Sequence, residues 1–220
     1  MTTPLFFVCD FASSSETYSA LKLSNTTFFQ YPSSETLEDV YARLTVAVSA
    51  LGASPTVRLV GHGLGGFLLT RMLLDGRTGG HPCVLLTPLL YHPLAWVTFV
   101  SWVSWPLRYL TVPHCWIKPQ YLTSATVGWL PNCRPVQLHQ MYDAGDVLTR
   151  IFDVSSVERA VTSSSVTVIV GEYDYIHGLP ASWQVRLAEN GTKLTILPVY
   201  HEGWRDSTGM AQCLHDYLLG

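Results

Sequence analysis

The sequence predicts an α/β protein built on a mostly parallel sheet. Short apolar runs alternate with stretches of helical period, and a glycine-rich turn joins one such run directly to a helix. Turn residues mark most of the changes between them. Strands that alternate with helices pair in parallel and are covered on both faces. About six strands are expected, in a single domain spanning 1–220, a length sufficient for a substantial core.

Leu5 to Val8 reads as a short buried strand, and Thr26 to Gln30 as a second, ending at Tyr31-Pro32. A helix follows. Ser33 or Ser34 is expected to cap it, Glu35, Glu38 and Asp39 load its first turn, and Gly52 stops it. Leu37, Tyr41, Leu44, Val48 and Leu51 form its apolar stripe. Val57 to Val60 is the next strand, and a helix is expected from about Phe67 to Leu74. Cys83 to Thr87 is another strand. A helix is predicted from about Ala144 to Ala160, a strand over Val166 to Val170 and a helix over Ser182 to Glu189. The strand Leu194 to Leu197 and a helix from about Gly209 to Leu219 end the chain. No repeat or linker interrupts this order.

Composition excludes several classes. Hydrophobic residues make up 48% and charged residues 13%, against about 25% charged in an ordinary soluble domain. The shortfall implies that something other than water covers part of the apolar surface. The formal net charge is −3 with no Lys/Arg cluster, which argues against nucleic acid as a partner. The five cysteines are scattered without a C-x-x-C pair, the pattern of free thiols in a reducing compartment. No zinc spacing occurs, and no metal or cofactor is expected. The first residues lack the basic segment of a secretory signal, so an intracellular location is expected. The two Asn-x-Thr sequons, at Asn25 and Asn190, are then read as chance matches.

Gly61-His62-Gly63-Leu64-Gly65-Gly66 has two readings. It fits G-x-G-x-x-G, the dinucleotide fingerprint, and would make the chain a nucleotide-binding protein. It also fits G-x-S-x-G, the nucleophile elbow, with Gly63 in the serine position. A sharp strand-to-helix turn with close backbone approach explains the glycines in either case. The dinucleotide reading wants an acid about 20 positions on, but the strand there is Cys83-Val84-Leu85-Leu86-Thr87 followed by Pro88. The elbow reading wants an acid and then a histidine, each after a later strand. Asp174 follows Val166–Val170 and His201 follows Leu194–Leu197. Asp143 and Asp146 are the fallback acids, although they fall in a helical stretch. His62 and His177 read as neutral structural groups.

Gly61-x-Gly63-x-Gly65, Gly171-x-x-Asp174 and Tyr200-His201-Glu202 together resemble the α/β-hydrolase superfamily, of lipase and esterase type. The resemblance runs from about residue 4 to the end. It implies a triad at Gly63, Asp174 and His201 and oxyanion positions at Leu64 and Phe11. Glycine offers no hydroxyl, so no acyl-enzyme can form at residue 63. Loss of a triad nucleophile costs on the order of a million-fold in turnover. The family's usual His-Gly after the early strand is replaced by Cys9-Asp10-Phe11. A negative charge at Asp10 opposes a site built for a developing oxyanion. An engineered Ser→Gly change would leave that loop intact, so natural divergence is favoured.

An irregular aromatic insertion is expected at about residues 90–135. No Asp, Glu, Lys or Arg occurs from Thr78 to Leu107. Pro93 and Pro106 bracket a segment too short for a membrane helix, which needs about 20 residues. Trp96, Phe99, Trp102, Trp105 and Trp116 are the candidate contact surface. Three readings stay open: a lid packed on its own domain, a protein-docking surface, and an interfacial membrane anchor.

The function expected on these grounds is a non-catalytic structural or binding subunit. It would have protein partners in a membrane-associated assembly, for example a mitochondrial one, and room for a small apolar ligand in a vestigial pocket. The alternative is an esterase- or lipase-type serine hydrolase inactivated at position 63, or one using an unrecognised nucleophile.

Overall fold

The computed structural model describes residues 3–10, 13–31, 35–52, 57–90, 154–163, 165–172, 174, 179, 181–199, 202, 204 and 208–219. Six strands form one sheet in the order β2-β1-β3-β4-β5-β6, every neighbouring pair parallel. They are β1 Leu5–Val8, β2 Thr26–Phe29, β3 Arg58–His62, β4 Cys83–Leu86, β5 Val166–Gly171 and β6 Lys193–Leu197. The expected strands are present within one or two residues. The helices are α1 Leu37–Ser49, α2 Leu64–Leu74, α3 Val154–Val161, α4 Ala181–Glu189 and α5 Thr208–Leu219.

The two faces of the sheet carry separate cores. Alternation along β1 sends Phe6 and Val8 to one face and Leu5 and Phe7 to the other. Phe6 and Val8 join Val40 and Leu44 of α1, Leu68 and Met72 of α2 and Val157 of α3. Leu5 and Phe7 join Tyr18, Trp204 and Leu214 and Leu218 of α5. Of the central strands, β1 and β4 are therefore apolar and buried along their whole length, as suits a doubly covered parallel sheet.

Three local expectations are corrected. Thr36, not Ser33 or Ser34, caps α1: its side chain accepts from the Asp39 N–H at 3.2 Å. Glu38 and Asp39 occupy the first turn, while Glu35 lies before it. Second, α2 begins at Leu64, so Gly65 and Gly66 lie inside a helix that propensity would start later. Third, a 3-10 helix spans Ser15–Leu21, where no element was expected. Of the helix expected from Ala144 to Ala160, the described part is α3, and the rest lies outside the described residues. The insertion at about 90–135, apart from residue 90, lies outside them too.

Close approach explains the glycine inside α2. A Cβ on Gly65 would meet the Val8 carbonyl oxygen and lie 2.7 Å from that of Cys9. The first turn of α2 therefore rests directly on the end of β1. Gly65→Ala should destabilise the fold by about 3 kcal/mol or more, since rigid backbone rather than a flexible side chain must move. A urea midpoint within error of the unmodified chain would show that the two backbones are not in contact.

Candidate active site

The turn between β3 and α2 is sharp because one residue makes it. Gly63 has φ 54° and ψ −115°, a conformation other residues adopt only with strain. Its N–H donates to the Leu86 carbonyl at 3.1 Å, and its carbonyl accepts from the Leu89 and Phe67 N–H groups, each at 3.1 Å. The turn is thus tied to the end of β4 and to the first turn of α2.

Asp10 fills the space that a side chain at residue 63 would take. A Cβ built on Gly63 would collide with the Asp10 carboxylate, with Oδ2 only 2.6 Å away. Oδ1 accepts from the Leu64 backbone N–H at 2.7 Å. The carboxylate is buried, with Asp10 2% exposed. Leu64 is one of the two oxyanion positions expected from the sequence, and its amide is engaged by Asp10 here. Phe11, the other, lies outside the described residues.

The loop behind Asp10 is fixed by groups far away in sequence. The Asp10 N–H donates to the Tyr18 hydroxyl at 2.9 Å. That hydroxyl lies within hydrogen-bond distance of His62 Nδ1, at 3.0 Å. The Tyr31 hydroxyl donates to the Cys9 carbonyl at 3.0 Å, and the Cys9 N–H donates to Phe29 at 3.1 Å. Tyr18 stacks on Trp204, whose indole N–H donates to the Thr17 carbonyl at 3.2 Å. Burial, followed by the nearby acids, pushes both phenols well above their usual range, and the Cys9 thiol is pushed up to about 12 by burial and Asp10. These groups stay neutral at physiological pH.

Asp174 is buried just beyond β5, 4% exposed, and its N–H donates to the Gly171 carbonyl at 3.2 Å. It therefore sits at the same sheet edge as the elbow. His201, Asp143, Asp146 and His177 lie outside the described residues, as do Trp96, Phe99, Trp102, Trp105 and Trp116. His62, directly before Gly63, and Glu202 are fully buried. Tyr18 carried no local signal, because its partner His62 lies on another strand-turn unit. An open cavity of about 370 Å³ lined by Arg58, Cys83, Thr167, Lys193 and Tyr217 opens at the opposite edge, where the strands begin. Ligands of open parallel sheets bind at the carboxyl ends of strands, so the elbow edge remains the candidate site.

Among the described residues, no cluster of His, Cys, Asp and Glu could hold a metal, and no helix is long and apolar enough to cross a membrane.

No family model matches the sequence, and no curated protein matches it. Solved structures do match. A monoacylglycerol lipase of Paleococcus ferrophilus is 17% identical, with a TM-score of 0.66, over 99% of this chain and 95% of that one. A soluble variant of the Saccharomyces cerevisiae monoglyceride lipase is 11% identical, with a TM-score of 0.65, over 99% and 87%. This chain has the α/β-hydrolase fold. A carboxylesterase structure from Nitrososphaera gargenis aligns at 11% identity and a TM-score of 0.63, over 99% and 90%. These findings correct the expected function. The fold is shared with lipases, carboxylesterases and a haloalkane dehalogenase, all enzymes, and nothing among them points to a structural or binding subunit. None of them supports a mitochondrial location or a membrane association.

Residues 10 and 63 should behave as a coupled pair. Gly63→Ser alone drives a hydroxymethyl group into the Asp10 carboxylate, and Asp10→Gly removes that obstruction. A double-mutant cycle in urea should show about 1–3 kcal/mol of coupling, the double variant being more stable than the two single losses predict. Strict additivity would mean that the carboxylate does not occupy the residue 63 position.

Proposed function

We propose that this α/β-hydrolase-fold chain is an acyl hydrolase of the esterase and lipase type, with an apolar acyl group as the bound part of its substrate. One observation carries the reading. The Leu64 N–H, at the start of α2 and directly after the elbow, is directed into the site, where it donates to Asp10 Oδ1 at 2.7 Å. An amide there is what a developing oxyanion needs, and the helix N-terminus adds to its attraction for negative charge. Asp174, buried beyond β5, supports the same reading as the acid of the site. His201, placed after β6 by the sequence, is the proposed proton carrier, oriented by Asp174.

Gly63 sets the limit on this chemistry. The hydroxyl that would carry an acyl group is missing, so the attacking atom comes from water or from another side chain. Triad enzymes that lose a member of the triad retain about 10³–10⁴-fold acceleration over the uncatalysed reaction. Hydrolysis of p-nitrophenyl esters of short and long acyl chains should therefore be slow but measurable, and His201→Ala should lower it by about 10²-fold or more. Rates equal to the buffer reaction for every chain length would refute the reading.

A further inference from the structure

The side-chain space of the elbow is occupied by a carboxylate from another strand. Asp10 reaches it from the end of β1, with Oδ1 on the Leu64 N–H at 2.7 Å and Oδ2 2.6 Å from the point where a Cβ of residue 63 would lie. Such a group is held as a nucleophile must be. One oxygen is anchored to backbone, and the chain behind it is pinned by the Tyr18 hydroxyl on the Asp10 N–H and the Tyr31 hydroxyl on the Cys9 carbonyl. Preorganisation of this kind supplies much of what a positioned reactive group contributes.

We propose that Asp10 is the nucleophile of this site and that its substrates are acyl thioesters. This rests on the acyl-hydrolase reading above and narrows it. Carboxylates serve as covalent nucleophiles in enzymes. Leaving-group basicity decides which acyl compounds one can open. A carboxylic acid has a pKa of about 4, a thiol about 8.5, and an alcohol comes close to water at about 16. A carboxylate that adds to an oxygen ester is expelled again far faster than the alkoxide. Against a thioester that disadvantage is much smaller, and the thiolate leaves with little help from an acid.

The step balances without any further reagent than water. A lone pair of Asp10 Oδ2 forms a bond to the acyl carbon, the C–S bond breaks, and the thiolate departs and takes a proton from solvent. The product on the protein is a mixed anhydride of Asp10. Water then adds to the anhydride, one acyl C–O bond breaks, the carboxylic acid leaves and a proton is released. The Asp10 carboxylate is restored, and no electron leaves or enters the system.

The test uses the full chain, with an acyl N-acetylcysteamine thioester and the ethyl ester of the same acyl group. Thioester hydrolysis should proceed while the ethyl ester reacts far more slowly. Asp10→Asn should lower thioester turnover by on the order of a million-fold, the loss expected on removing a nucleophile. Since that variant could unfold, the unmodified protein is also turned over in hydroxylamine, which converts an aspartyl anhydride to a hydroxamate. The peptide holding Asp10 should then carry the hydroxamate, in a substrate-dependent manner, by mass spectrometry. Thioester turnover with no modified Asp10 would overturn the nucleophile and leave the acyl-hydrolase reading in place. No turnover of thioesters or p-nitrophenyl esters would overturn that reading and this inference together.

Discussion

The carboxyl ends of β1 and β3 meet in one contact, the Asp10 carboxylate against the backbone of Gly63 and Leu64. It joins the end of β1 to the turn after β3. It requires a residue without a side chain at 63, and it gives the first amide of α2 an anionic partner. The neighbouring turn has the same tolerance: Gly65 lets α2 lie against the Val8 and Cys9 carbonyls, which brings Leu64 within reach of Asp10. Two glycines therefore do different work. One provides a left-handed turn with room for a foreign carboxylate, and the other lets helix and strand backbones touch.

Burying a carboxylate is unfavourable unless its oxygens are well bonded. Asp10 has a charge-assisted bond from Leu64 and lies at a helix N-terminus, where an anion gains roughly 0.3–2 kcal/mol. Its surroundings adjust to it. The Cys9 thiol and the Tyr18 and Tyr31 phenols are held neutral, by burial first and by their acidic neighbours, Asp10 among them, after it. Neutral hydroxyls can both donate and accept, and Tyr18 links Asp10 to His62 in that way. The aromatic packing of Tyr18 on Phe7, Phe28 and Trp204 keeps the hydroxyl in place.

The fold was legible because its signals are local and repeated. The strand runs and the stripe of α1 report burial on a fixed period, and the glycine turn and the order of Asp174 and His201 report topology. Boundaries were less legible. Thr36 takes the cap because its side chain reaches the Asp39 amide, a matter of backbone direction that several hydroxyl residues in a row do not reveal. The 3-10 helix was missed because Tyr18, Leu21 and their partners are assembled by distant strands. At the site, the sequence showed that a charge at residue 10 disturbs an oxyanion position. It did not show that the carboxylate takes the space of the residue 63 side chain, because the two are 53 positions apart. Function was least legible. Loss of one hydroxyl was read as loss of catalysis, although the amide it served still holds an anion.

The collision between residues 10 and 63 also restricts how such a sequence can change over time. A serine elbow and an aspartate at position 10 cannot share this geometry, since both claim the same few cubic ångströms. A serine at 63 is therefore compatible with an acid at position 10 only if the carboxylate turns elsewhere. Once Asp10 is seated, reversion at 63 alone meets a steric barrier. The two positions form a ratchet, in which the second substitution makes the first hard to undo.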